Sequence, residues 1–490
     1  MTAQSGLARR SIGGGALWFF AVGASSPMTV LAGGIVTAYA TTGVVGVPLS
    51  FLILMVALTP LTIAYVAMSR HVPHAATFYA LLARGVGRPW GVAGAAMALL
   101  GYNAIQVALY GLFGATLAGL VGGPWWLWAA LAWCAVASLG VMHITINAQV
   151  LAGALVAEIA VIALFDVVAF ANPAGGSVSI SPMLPDQLLV DGVGGVLALS
   201  IACFVGYECA AAYGEEARTD RSVGRATIAA LVGLGLFYAI TGWALAVVIG
   251  PGSVVAASGD PEAGLPFSVL QEHLGTHGFG MLALWMATAL LVTSILAAML
   301  SFHNTVARYV FALGRERVLP QGLATVGSGM SGGAPTAGSL LQSGLAAVVV
   351  AVAAVAGADP LAVLFTWLAA IAAIAVLLLL VLVSAAALRF FRNGGGGNES
   401  AWTRVVAPVA GLVFGVAVLA VTVANLSSLL GVPAGSPLTV IVPGVVLAVG
   451  VGGLAWGAVL RRTQPQVYAD ISHGRPHELA VPDPRLDMKV

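Results

Sequence analysis

One acidic residue, Glu158, lies at the centre of the apolar stretch QVLAGALVAEIAVIALF. A charge at the centre of a membrane helix costs about 2.5 to 3.5 kcal/mol even on a lenient scale. The carboxyl group must therefore be protonated, hydrogen-bonded to neutral groups or paired with a cation. This predicts a site for a proton, a sodium ion or an organic ammonium group, with a permanently neutral structural acid as the alternative. Asp166, eight residues further along, is expected at an interface or in a vestibule.

The first apolar segment contains FFAVGASSPMTVLAGG, which has signals for ending one helix and starting another. Gly23 can end a helix, and Ser26 followed by Pro27 can form the N-cap and first position of the next one. The second half-helix would present free N–H groups and the positive end of its dipole, which suit a carboxylate. A simple proline kink is the alternative reading.

A second break is predicted in the sequence FVGYE, where Gly206 stands near the centre of an apolar segment and Glu208 follows it. The half-helix that ends before Gly206 would present free carbonyl groups, which suit an ammonium group. Paired breaks in corresponding positions of two halves indicate the midplane site of a transporter. The two kinds of helix end together predict an amino acid as ligand. Glu208 has a structural alternative, in which it braces the half-helices by accepting N–H bonds.

Further polar side chains occur within apolar segments. Tyr102, Asn103 and Gln106 share one helix face, where they can contact a ligand or bond a neighbouring helix. Several hydroxyls near Ser294 could bind sodium, although such hydroxyls mostly bond their own backbone.

The elements that must position these residues are membrane helices. Of 490 residues, 60% are hydrophobic and 8% charged, whereas soluble domains contain roughly 25% charged residues. The mean hydropathy is +1.01. The net charge of +1 gives no electrostatic footprint for nucleic-acid binding. These values predict an all-α polytopic membrane protein embedded in a lipid bilayer.

Hydropathy alone predicts twelve spans, numbered one to twelve along the chain, at 16–40, 44–69, 91–121, 125–142, 147–171, 191–212, 225–249, 279–312, 335–357, 360–388, 405–430 and 438–460. With twelve spans, all 19 Lys and Arg residues fall on the side that holds both termini. Since charge was not used to choose the spans, the positive-inside rule independently supports them and predicts cytoplasmic termini. No basic residue from the membrane interior is then available to pair with Glu158.

Three segments resemble the amino acid-polyamine-organocation (APC) superfamily of permeases. GASSP is similar to the unwound, glycine-rich part of its span one, and FVGYECAAAYGEEARTDRSVGRA to its span-six signature. SFHNTVARYVFALGRERVLP is similar to its end of span eight. The resemblance implies a five-plus-five inverted repeat with broken spans one and six, two extra spans, and alternating access.

Composition, charge and the resemblance together divide the chain into five regions. They are a cytoplasmic N-terminal segment, a ten-helix transport core, a cytoplasmic Gly-rich linker, spans eleven and twelve, and a poorly ordered cytoplasmic tail, at 1–15, 16–391, 392–404, 405–460 and 461–490.

The resemblance also implies a substrate held between the two breaks. The predicted substrate contacts are Gly23, Ala24, Ser25, Ser26, Pro27, Tyr102, Asn103, Ala202, Phe204, Val205, Gly206 and Tyr207. Proton-coupled relatives carry a lysine at the position similar to Glu158, so the sign of the charge is reversed here and Glu158 is the predicted coupling residue.

Gating or structural roles are predicted for charged residues near the cytoplasmic mouth and for the span-six acid, namely Glu208, Glu215, Glu216, Arg218 and Arg308. Two departures from the family pattern accompany them. Arg221 and Gly224 stand where prolines are usual, and Ala202 stands where some relatives have a gating aromatic residue. The lid over the substrate is then predicted to be Phe204 or Tyr207.

The sequence therefore predicts a secondary active transporter of amino acids, neutral ones favoured, that works as a proton symporter in a bacterial cytoplasmic (inner) membrane. The alternatives are a permease for polyamines or other organic amines, a substrate exchanger, or sodium coupling. A sensor or channel is less well supported. His273 and His277 lack a third ligand, and phosphate-loop and nucleophile-elbow motifs are missing, so no metal, cofactor or enzyme activity is predicted.

Overall fold

The computed structural model describes residues 7, 12–142, 144–260, 263–328, 331, 333–397 and 399–473. These residues form helices and connections without a β-strand. Eleven of the helices are long and apolar enough to cross a membrane, at Gly14–Thr42, Val47–His71, Arg88–Val121, Ala152–Ala171, Val193–Tyr213, Arg221–Ile249, Phe279–Arg315, Thr336–Val355, Pro360–Arg392, Trp402–Ala424 and Leu438–Thr463.

A shorter apolar helix, Trp125–Gly140, coincides with the predicted span four. Each predicted span thus contains a helix, and we keep the numbering one to twelve for these helices. The all-helical membrane fold is confirmed. The count of twelve spans, the inverted repeat and the five regions of the chain stay predictions.

Span one is interrupted at Ser26. One α-helix ends at Ser25, and the next begins at Pro27 and continues through a π-helical stretch to Thr42. Ser26 has a φ of 48°, the left-handed conformation that side chains rarely adopt. Pro27 has no N–H group and a fixed φ, so it starts a helix more readily than it continues one. The interruption lies three residues after the predicted stop at Gly23, which is itself helical.

Span six is interrupted between Ala202 and Tyr207. An α-helix ends at Ala202, and a 3-10 helix runs over Tyr207–Tyr213. Between them, Gly206 has a φ of +114°, a conformation that favours glycine because it has no side chain. The break predicted around Gly206 is therefore present in the described chain.

The basic connections meet at one end of the bundle, which we call the basic end. There the backbone of Ile12 pairs with the connection after span six, since its N–H donates to the Glu216 carbonyl and its own carbonyl accepts the Arg218 N–H. The C-terminal segment also packs at this end. It forms a helix over Pro465–Asp470, and Ile471 is fully buried, whereas the sequence predicted an irregular tail.

Candidate functional site

Glu158 caps the second half of span one. Its side chain is only 2% exposed, and Oε1 accepts the Met28 N–H at 2.5 Å and the Ser294 hydroxyl at 2.6 Å. Pro27 has no N–H, so Met28 provides the first free backbone donor of this half-helix. Ser26 occupies the N-cap position, but its side chain makes no cap bond. The Glu158 carboxylate of span five caps the half-helix in place of the Ser26 hydroxyl, and the sequence did not predict this.

A chain of hydroxyl groups leads to the same carboxylate. Ser294 Oγ lies 2.7 Å from Ser26 Oγ, which lies 2.7 Å from Thr29 Oγ1. A hydroxyl donates only one proton. Because Ser294 donates to Glu158, Ser26 must donate to Ser294, and Thr29 must donate to Ser26. Spans one, five and eight are thus joined by bonds that all point toward one acid.

The two breaks touch directly. A Cβ placed on Gly206 would lie 2.8 Å from Ala24 Cβ and 2.9 Å from the Ala24 carbonyl carbon. Ser25 Oγ lies 3.5 Å from the Val205 carbonyl oxygen, a long contact. The structure therefore brings together predicted substrate contacts from both broken spans.

Glu208 lies beside the span-six break with no exposed surface. Its Oε2 accepts the Gly206 N–H at 3.0 Å, and its Oε1 accepts the Tyr102 hydroxyl at 3.2 Å. This geometry matches the bracing alternative for Glu208. The Asn103 amide donates instead to the Leu99 carbonyl of its own helix at 2.7 Å.

The two candidate lid residues are held against span two. The hydroxyls of Tyr207 and Thr62 lie 2.8 Å apart. The Phe204 ring lies 6.1 Å from the ring of Phe51. Both aromatic side chains are buried in these contacts, while Ala202 is half-buried. The lid assignment stays a prediction.

Arg308 and Glu216 form a buried ion pair near the basic end. Arg308 Nε donates to Glu216 Oε2 at 2.6 Å, and Nη2 donates to Oε1 at 3.1 Å. The two side chains are 1% and 0% exposed. The guanidinium carbon also lies 4.3 Å from the centre of the Tyr213 ring. This predicted gating pair therefore lies inside the protein, where the Tyr213 ring covers the guanidinium group.

Glu215 has a different partner. Both nitrogens of the Arg315 fork donate to its carboxylate at 2.7 Å, and the Ala75 N–H donates at 3.0 Å. Burial alone would raise the pKa of Glu215, but these bonds lower it to about 2. The sequence did not identify Arg315 as a partner. Arg218, which it did include, is exposed and contributes its backbone to the pairing with Ile12.

Glu316 links three parts of the basic end. Its carboxylate accepts bonds from His74 Nε2 at 2.9 Å, the Tyr79 hydroxyl at 2.5 Å and the Ser472 N–H at 2.8 Å. His74 Nδ1 accepts the Ala76 N–H, so the hydrogen is on Nε2, which donates the hydrogen bond to Glu316. Sequence reasoning missed this cluster, whose only signal was Glu316 itself, the single acid of the span-eight motif SFHNTVARYVFALGRERVLP.

Asp166 is buried, contrary to the expectation of an interface or vestibule. It is 8% exposed, and its Oδ2 accepts the Thr241 hydroxyl of span seven at 3.1 Å. Its Oδ1 has no hydrogen-bond partner. Within the described residues, no group of three or more His, Cys, Asp and Glu lies close enough to hold a metal ion.

Long apolar helices, two of them interrupted around buried carboxylates, define a multi-pass membrane protein of the transporter class. The model of the amino acid permease family matches residues 16–449, and the chain belongs to this family, within the APC superfamily. No curated protein matches the chain significantly.

Solved structures with the same fold include a manganese transporter from Eremococcus coleocola in complex with an aromatic bis-isothiourea substituted compound. Its TM-score is 0.55 at 15% identity, over 91% of this chain and 95% of that one. Two point mutants of the same transporter give TM-scores of 0.53 and 0.54 at 16% identity, with the same coverage. At this identity the likeness shows the fold alone, and manganese is not carried over to this chain.

Proposed function

We propose that the protein is a secondary active transporter of amino acids, neutral ones favoured, that works by alternating access as a proton symporter. The family membership supports transport of an amino acid. The uneven distribution of basic residues supports an orientation with both termini inside, so that the basic end is cytoplasmic. We place the protein in a bacterial cytoplasmic membrane.

The observation that carries the proton-coupling proposal is the carboxylate of Glu158 on the Met28 N–H. A substrate carboxylate suits the same half-helix end, and two anions cannot share it without a large electrostatic cost. A proton on Glu158 removes one of the two charges. Proton uptake would then favour substrate binding, and release of either one would favour release of the other.

The ion pairs at the basic end support alternating access. The connection after span six is joined to span eight by the Glu216 and Arg308 ion pair. Glu215 in the same connection pairs with Arg315, the last residue of the span-eight helix. Opening this end must separate or move these pairs together. We therefore assign gating roles to Glu215, Glu216 and Arg308, with Glu208 as the brace of the span-six break.

An organic amine is the second candidate substrate. Glu158, Asp166 and Glu208 are all buried, and the donors observed on them are neutral groups. If these acids are ionised, Glu158 and Glu208 place negative charge at the breaks and Asp166 adds to it further along span five, which would favour a cation over a zwitterion. A polyamine or monoamine would then occupy the site without a carboxylate of its own.

Uptake into proteoliposomes tests these proposals. Labelled amino acids and amines are compared under a pH gradient, under a sodium gradient and in counterflow. A neutral amino acid that accumulates only with the pH gradient is the expected result. Saturation and counterflow separate a carrier from a channel. If neither amino acids nor amines are transported, the proposed function fails.

A further inference from the structure

Asp166 is a second buried acid on the helix that carries Glu158. The two lie eight residues apart, a rise of about 12 Å along span five. Asp166 is closer to the end of the bundle opposite the basic end, five residues before the helix ends at Ala171. With one neutral donor from Thr241 and one oxygen without a partner, its carboxyl group lacks the bonds that stabilise a buried charge.

The helices packed against span five supply no counter-ion for Asp166 among the described residues. Spans one and eight have no charged side chain over 14–42 and 279–302. On span seven the nearest basic residue, Arg225, is 16 residues from Thr241, about 24 Å along the helix. The short helix Phe267–Leu274 also contacts span five, but its Glu272 and His273 are exposed. Asp166 must therefore be neutral or take a cation from elsewhere.

Hydroxyl groups lie between the two acids on the facing helices. Thr241 and Tyr238 are three residues apart on span seven, which places them on one face. The Tyr238 hydroxyl donates to the Ser25 carbonyl at 3.4 Å. This bond ends on a backbone carbonyl, and the hydroxyl contacts that reach Glu158 start separately at the next residue, Ser26, and run through Ser294. The titratable groups that face this region are Asp166, Glu158 and Tyr238. Tyr39, whose hydroxyl donates to the Gly242 carbonyl at 2.9 Å, and Cys203 beside Tyr238 complete the set.

We propose that Asp166 is the outer proton station of the transporter, through which Glu158 receives its coupling proton. This rests on the proposed proton symport. In the step, an O–H bond at Asp166 breaks and an O–H bond at Glu158 forms. Thr241 is hydrogen-bonded to Asp166 and Ser294 to Glu158, and water molecules carry the proton between these two hydroxyls. Asp166 is left ionised and takes a new proton from the side opposite the basic end. Asp166 positions and relays the proton and does not contact the substrate.

The test compares Asp166→Asn, Asp166→Glu and Thr241→Val in proteoliposomes. Asp186→Asn is the matched control, since the same chemical change falls on an exposed acid in the connection before span six. Three quantities are measured for each: the initial rate of uptake driven by an acid exterior, the dependence of that rate on exterior pH, and counterflow at equal pH. Asp166→Asn should lose gradient-driven uptake and keep counterflow and substrate affinity.

Asp166→Glu should recover gradient-driven uptake, and Thr241→Val should shift its dependence on exterior pH without loss of counterflow. Adding Asp166→Asn to Glu158→Gln should cause no further loss. The proposal is overturned if Asp166→Asn and Thr241→Val both keep the uptake rate and the pH dependence of the wild type. It is also overturned if both variants lose counterflow together with gradient-driven uptake. If the wild type itself fails to respond to a pH gradient, proton symport fails first, and the relay falls with it.

Discussion

The carboxylate of Glu158 on span five accepts the backbone N–H of Met28 on span one at 2.5 Å. The two residues are 130 positions apart in the chain. The contact places an acid on the positive end of the half-helix that restarts at Pro27. An anion-binding position that the sequence assigned to the substrate is thus occupied by the protein itself, and this defines the first prediction.

Glu158→Gln mimics the protonated acid. We expect the variant to bind substrate and exchange it across the membrane, because its charge no longer competes for the Met28 N–H. It should lose accumulation driven by a pH gradient, since a neutral amide cannot release a proton. Binding, counterflow and gradient-driven uptake are measured together. A sodium role would appear as a lost sodium requirement, and an amine site as lost binding. Three unaltered values would mean that Glu158 is structural.

Gly206→Ala should impair transport and lower stability. The new Cβ would lie within 3 Å of Ala24, and the left-handed φ of +114° adds strain of about 1 to 3 kcal/mol. Uptake and thermal unfolding in detergent measure both effects. Gly33→Ala is the control, because its Cβ would meet no atom within 4 Å. Equal uptake and equal unfolding temperatures of the two variants would contradict the close contact between the two breaks.

Removing one partner of the buried ion pair should be more costly than removing both. Arg308→Met leaves Glu216 as an uncompensated buried charge, with an expected loss of about 3 to 5 kcal/mol. The double variant Arg308→Met with Glu216→Leu should regain much of that loss. Unfolding temperatures in detergent provide the double-mutant cycle. Additive losses would show that the two residues do not interact as the structure indicates.

The stabilising contribution of Glu215 should depend on acidity. Its pKa is lowered from 4.5 to about 2, so the folded state binds a proton less readily than the unfolded state. The contribution is therefore complete above about pH 4.5 and is lost as the pH falls toward 2. Melting temperatures between pH 6 and 3 should fall less steeply for Glu215→Gln than for the wild type. The same slope in both proteins would contradict the Arg315 pairing.

Deletion of residues 465–490 should loosen the basic end. It removes the Ser472 N–H from Glu316, and this buried acid then loses a backbone donor while it keeps the bonds from His74 and Tyr79. We expect a lower unfolding temperature and faster labelling of a cysteine introduced at Ala75, which lies in the covered connection after span two. Deletion of 474–490 is the control, since it keeps Ser472. Equal labelling in both deletions would argue against a stabilising role of the segment.

The amino-acid sequence by itself determined the membrane fold and the positions of both breaks. Apolar stretches of about 20 residues must form helices in a bilayer, because no water is available to satisfy the backbone. Pro27 and Gly206 mark the interruptions through their own backbone chemistry, which needs no distant partner.

Only the tertiary structure decided which groups the acids meet. Each acid bonds a residue far from it in the chain. The pairs are Glu158 with Met28, Glu215 with Arg315, Glu316 with Ser472 and Asp166 with Thr241. Hydropathy places a residue within a span, but helix rotation and packing determine the direction of its side chain. An acid in an apolar helix therefore signals that a partner or a proton is required, and the identity of the partner depends on which helices lie against it.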